Sequence, residues 1–152
     1  MLMLGTLTSD QSIHVLKSEL VGRIGCYMDG RVYIVPVTYV YHSNAIYAHS
    51  KEGLKIRMMR KNPKVCFEVE SRENYRSWRS VILWGKYVEI KTLAEQKKAM
   101  KILMDRLEPF SLSDSLKPRK YHDPPLQIER EHKPVIYRIT IDEITGRYEK
   151  VN

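Results

Sequence analysis

The sequence predicts a mainly β protein, an antiparallel β-barrel or split barrel of about six strands with peripheral helices. Three observations predict it. From Val21 onward, runs rich in β-branched and aromatic residues, such as RVYIVPVTYVY and VIYRITI, alternate with short turn signals. Asp29-Gly30 stands between two such runs as a tight-turn dipeptide. Helical periodicity is confined to the start, the middle and a late stretch, so the strands must supply most of the core.

In chain order, Thr8, Ser9 and Asp10 offer N-caps for a first helix that occupies the 1–20 region, with Ile13, Val15, Leu16 and Leu20 on its apolar side. Arg23–Met28 and Arg31–Tyr41 form a hairpin about Asp29-Gly30. Pro36 removes a ladder donor, so this second arm belongs at an edge or is bulged there. Ala45–His49 returns as a strand, Lys51–Arg60 reads as a short helix stopped by Asn62-Pro63, and Lys64–Glu70 alternates as the next strand. Ser77–Ile90 follows, with Gly85 as a bend or bulge. Thr92–Leu107 has the clearest helical period. The proline-bearing 108–131 stretch reads as a long irregular connection. Pro134–Ile141 is a strand, Asp142–Gly146 a turn, and Arg147–Glu149 a last strand-like piece.

Length and composition bound the function less tightly. At 152 residues the chain suits one domain, 1–152, with a core that needs no staples. The two cysteines, Cys26 and Cys66, lie far apart in apolar runs, which fits reduced thiols in a cytoplasmic protein. The apolar start MLML is too short for a signal peptide or a span. His122 and His132 lack a third ligand at metal spacing, so no metal site is expected. A net charge of +8 permits nucleic acid, an anionic membrane surface or an acidic small ligand, and does not choose among them.

One stretch carries chemistry. In IYAHSKEGLK, Ile46–Lys55, a strand runs into His49-Ser50 and then into Gly53 and Lys55. A strand end presents N–H groups, Ser50 adds a hydroxyl, Gly53 allows close approach and Lys55 brings charge, so a phosphate would suit the cradle. An ordinary strand-to-helix turn uses the same residue types.

The wider order VPVTY, IYAHS, a Gly and a Lys opening a helix, then RKNPKVCFEVE, RSWRSVILWGKYVEI and VIYRITIDEITGR, resembles the pyridoxamine 5'-phosphate oxidase-like split barrels that bind FMN. It is most similar to their nitroimidazole-resistance branch, from about Leu20 to Arg147. The resemblance implies a homodimer with FMN at the subunit interface. It sets the ring along Val35, Pro36, Val37 and Thr38, the phosphate against His49, Ser50 and Lys55, and contributions from Trp78, Arg79, Ser80 and Val81 of the partner. His49 is the candidate for contact with ring or substrate. The Arg-rich segment with which the oxidase itself holds its substrate is not matched by GRYEKVN, so pyridoxamine phosphate is not the expected substrate. A small FMN-dependent oxidoreductase acting on nitroaromatic or quinone-like acceptors is the leading expectation. A flavin or haem carrier, or a basic barrel stacking single-stranded nucleic acid on Tyr27, Tyr33, Tyr39 and Tyr41, are the alternatives.

Overall fold

The computed structural model of the chain describes residues 1–110 and 134–151. In chain order its elements are β1 (Leu2–Thr6), α1 (Ser9–Ser18), β2 (Val21–Met28), β3 (Arg31–Thr38), β4 (Val40–His42), β5 (Ala45–Ser50), α2 (Leu54–Lys61), β6 (Lys64–Asn74), β7 (Ser77–Glu89), α3 (Leu93–Leu107), a 3-10 turn (Glu108–Phe110) and β8 (Val135–Val151). The strands form one antiparallel sheet in the order β3-β2-β6-β7-β8-β5-β4, with β1 added to β8. The two ends of that path, β3 and β4, are joined through a single residue, Tyr39. A sheet whose edge strands are covalently adjacent has to curl back on itself, and this closure makes the split barrel.

The hairpin, the edge and the bulge fall where the sequence puts them. Asp29 and Gly30 take φ of 49° and 78°, the left-handed pair that a two-residue hairpin turn requires. Pro36 lies on edge strand β3, opposite Arg23. Tyr39 N–H donates to the Leu20 carbonyl at 2.9 Å. Ladder bonds alternate along an antiparallel pair, so Val37 and Val35 point their backbone groups at β2 while Thr38, Pro36 and Ile34 point theirs away. Pro36 therefore costs the ladder nothing. Gly85 sits at a register shift between β7 and β8, with Trp84 opposite Glu143 and Gly85 opposite Ile141.

Three expectations are corrected. The 1–20 region is not all helix: Leu2–Thr6 is a strand pairing with Thr6↔Arg147 through Leu2↔Val151, and the helix starts only after Thr8, whose side chain and that of Gln11 close a capping box. An apolar tetrad too short to bury itself as a helix finds its hydrogen bonds on the free side of β8. Asp142–Gly146 is not a turn. The strand continues through it from Val135 to Val151, because the bulge at Asp142 absorbs the mismatch against the long β7. Together with the division of Arg31–Tyr41 at Tyr39, these changes make eight strands rather than about six. Of the expected irregular connection 108–131, the start is the 3-10 turn, and the rest lies outside the described residues, as do His122 and His132.

The core fills the barrel with the inward alternation of each strand: Ile24, Phe67, Val69, Val81, Leu83, Ile46, Tyr137 and Ile139, closed by Ile56, Met58 and Met59 of α2 and by Val15 and Leu16 of α1. Tyr39 is wholly buried there, its ring edge-on to Phe67 at 5.1 Å and its hydroxyl donating to the Leu16 carbonyl at 2.7 Å. Burial raises its pKa, so the phenol stays neutral. Among the described residues no helix is long and apolar enough to cross a membrane.

Candidate functional site

The geometry of interest is the split itself. β4 pairs with β5 through Val40↔Tyr47, and that register, continued, would set Thr38 beside His49. Instead β3 turns aside to pair with β2 through Thr38↔Val21. A wedge opens between the two strands, with the outward backbone groups of Thr38, Pro36 and Ile34 on one side and His49 and Ser50 on the other. Ile46 and Ala48 are buried, which leaves the half-buried His49 on the outer face of β5. Thr38 shares that face with the exposed Pro36 and Ile34, yet is itself buried, and its Oγ1 has no hydrogen-bond partner. A buried hydroxyl without a partner costs about 1–3 kcal/mol, so a water, a second copy or a ligand atom that bonds it here would be stabilising.

Past Ser50 the chain leads into a cationic helix start. Gly53 caps α2, no side chain bonds its first turn, and no acid stands there, so the helix start keeps its positive end uncompensated. Lys55 lies in that turn. Burial pushes its ammonium below the usual lysine value, with Cys26 of β2 beside it acting in the opposite sense. Ser50 Oγ donates to the Lys51 carbonyl at 2.9 Å. Glu52, the one acid of the loop, is taken out of play by Arg60, whose guanidinium reaches both its oxygens at 2.7 and 2.9 Å and also holds Glu89 at 2.9 Å. Tyr87 donates to the same Glu89 at 2.7 Å. This clamp, spread over residues 52–89, leaves no mark in local sequence spacing.

The predicted residues divide accordingly. Thr38, His49 and Ser50 come to the wedge, with Pro36 on its rim, and Lys55 follows in the first turn of α2. Val35 and Val37 turn their side chains to the core, so only their backbone lies along β3. Trp78, Arg79, Ser80 and Val81 are elsewhere: β2 and β6 separate β7 from β3. Val81 is fully buried in the core. Trp78 and Arg79 instead line a 430 Å³ pocket with Thr6, Gln11 and Tyr148, and the Trp78 indole donates to Glu149 at 3.2 Å. Sequence reasoning missed Tyr137, across from Ala48, whose buried hydroxyl is the second without a partner among the described residues. Burial, with Cys26 nearby, raises its pKa.

Other chemistries fit less well. Burial raises the pKa of both Cys26 and Cys66, which keeps them thiols rather than nucleophiles. Among the described residues no cluster of His, Cys, Asp and Glu is set to hold a metal. The stacking platform for nucleic acid is absent as drawn. Tyr39 is buried, Tyr33 and Tyr41 pack against the core, and only Tyr27 is open.

Beside the wedge, the outer face of β3, β2, β6 and β7 carries an apolar groove of about 590 Å³. Val32 and Ile34 are each 66% exposed and Tyr27 52% exposed, with Trp84 completing the wall. Gly25 forms the floor. The register aligns Ile34, Gly25, Cys66 and Trp84 as one row across the four strands.

The chain belongs to the pyridoxamine 5'-phosphate oxidase family, whose model matches residues 8–148. Among individual relatives, Uncharacterized protein RA0666 of Rhizobium meliloti (strain 1021) is 30% identical over 137 residues, covering 88% of this chain and 87% of that protein. The solved structure of a FAD-binding protein from Mesorhizobium loti is 29% identical, with a TM-score of 0.80 over 99% of both chains. A candidate 5-nitroimidazole antibiotic resistance protein from Bacteroides thetaiotaomicron shares the fold at 19% identity, TM-score 0.72, over 99% of this chain and 92% of that one.

Proposed function

We propose that the chain is a flavin-binding protein that works as a homodimer, with FMN as the cofactor and oxidoreduction as its activity. The observation that carries this is the wedge, where an unpartnered Thr38 hydroxyl stands beside the outward backbone edge of β3, with a partly desolvated Lys55 in the helix turn that follows β5. A flavin mononucleotide needs these things together: donors and acceptors for its ring edge, a flat slot, and a cation with N–H groups for its phosphate. Membership of the family and the relative described as FAD-binding support the reading.

In this reading the outward backbone groups of Pro36 and Thr38, flanked by Val35 and Val37, and the Thr38 hydroxyl hold the ring edge. Ser50, Lys55 and the first turn of α2 hold the phosphate. His49, on the outer face beside them, orients the ring or the incoming substrate. The bound flavin supplies hydride or single-electron transfer, and nitroaromatic and quinone-like acceptors are the first to assay. Trp78, Arg79 and Ser80 reach this wedge only from a second copy, and a second copy also covers the groove of Val32, Ile34, Tyr27 and Trp84. Soluble monomers rarely leave so large an apolar face open.

Two measurements test the proposal. Denaturing the purified protein and weighing the released small molecule identifies the cofactor; FMN is expected, FAD would keep the flavin reading and change the nucleotide, and a colourless protein that takes up neither refutes it. Sedimentation gives the assembly. The 17.9 kDa chain is expected at twice that mass, and Ile34→Asp, which sets a charge in the groove, is expected to give monomers that lose flavin in step. A monomeric wild type that keeps its flavin would remove the interface from the site.

A further inference from the structure

A different pocket, of about 250 Å³, lies between α3 and the β4–β5 hairpin. Glu95, Lys98, Ala99 and Ile102 face it from α3 at helical spacing, one stripe of the helix. His42 and Ser43 form the hairpin wall, held by the positive φ of Ser43 and Asn44 (47° and 57°). Arg138 rises from β8 between Tyr47 and Val88.

The charges there do not balance internally. The half-buried Arg138 makes no ion pair with any described carboxylate, and neither does Lys98. Glu95 is the one acid present, and its carboxylate already accepts from the Thr92 hydroxyl at 3.1 Å as part of the α3 cap. Arginine is withdrawn from water at a cost that a bidentate anion offsets. Between the cations the lining is apolar, with Tyr47, Ile90, Ala99 and Ile102. The space is smaller than pockets built for drug-sized ligands.

We propose that this pocket is a second binding site, for a small carboxylate on an apolar body, with a single-ring aromatic acid as the fitting chemistry. Arg138 and Lys98 take the carboxylate, His42 and Ser43 close the mouth with further donors, and Tyr47 with Ile102 takes the ring. The site shares no residue with the proposed flavin cradle, so either can fail while the other stands.

Calorimetric titration of the chain as purified tests it, with benzoate as the probe, benzyl alcohol as its uncharged counterpart and inorganic phosphate as the bare anion. Benzoate is expected to bind at least tenfold more tightly than either. Arg138→Gln is expected to weaken it at least tenfold and Lys98→Gln severalfold, with the visible spectrum unchanged in both. Arg138 sits between two paired strands, so Lys98→Gln on the exposed helix surface is the deciding variant. Equal binding of benzoate and benzyl alcohol, equal binding of phosphate, no binding of benzoate, or unchanged affinity in Lys98→Gln overturns the proposal.

Discussion

Lys55→Ala is expected to weaken FMN binding by tenfold to a hundredfold. A charge-assisted contact to phosphate contributes about 1.5–3 kcal/mol, and here the ammonium is already stripped of part of its water, so little further desolvation opposes the contact. Ser50→Ala, losing a neutral donor, is expected to cost only a few-fold. The pH dependence has a definite sign. The folded-state pKa of Lys55 lies below its ordinary 10.5. Below that folded value the charge is present and the phosphate is held; as pH rises through it, affinity should fall toward that of Lys55→Ala, which itself should stay flat across this window. The cofactor-free fold should move the opposite way, gaining stability between the lowered value and 10.5, because there the unfolded chain binds more protons than the folded one. Titration of apoprotein with FMN at several pH values reads all of this, and an unchanged affinity in Lys55→Ala would place the phosphate elsewhere.

Gly85→Ala is expected to cost about 3 kcal/mol or more, much of a typical domain's 5–15 kcal/mol. A Cβ at this position would collide with the Thr140 carbonyl oxygen and press on Ile139 Cγ2 at 2.9 Å. The obstacle is backbone. Thr140 is paired with Lys86 on one side and Ala45 on the other, so β8 has nowhere to retreat. Gly25→Ala is the control: its Cβ would meet nothing nearer than the Cys66 carbonyl at 3.7 Å, an ordinary contact, and should cost under about 1 kcal/mol. Thermal melts of the two proteins decide the matter; equal midpoints would mean that β8 can shift at its bulge.

Gly85 also shows what was legible in the sequence. A glycine within a strand-like run marks a bulge, a Pro marks an edge, Asp-Gly marks a hairpin, and Thr92 marks the start of α3, because each of these is decided by one residue's own backbone or side chain. The cradle residues Ser50, Gly53 and Lys55 were legible for the same reason, being close together in the chain. What was not legible depends on partners far away. Tyr39 reads as one more alternating strand residue, and only the competition of β2 and β5 for the two sides of its strand turns it into the joint of the barrel. Asp142–Gly146 has turn composition, but β7 holds it extended. Arg60 finds Glu52 and Glu89 only after α2 has docked, and Arg138 finds its pocket only once α3 lies across the hairpin.

The seventeen-residue β8 pairs with β1, β5 and β7. All three leave the ribosome before it does. Until its residues emerge, β5 and β7 stand with one edge open and β1 has no partner, so a stalled or clipped nascent chain would present bare strand edges to its neighbours. The unpaired edges of β5 and β7 are therefore where a chaperone's cover is most needed, and variants that slow the arrival of β8 should show up as inclusion bodies before they show up as lost activity.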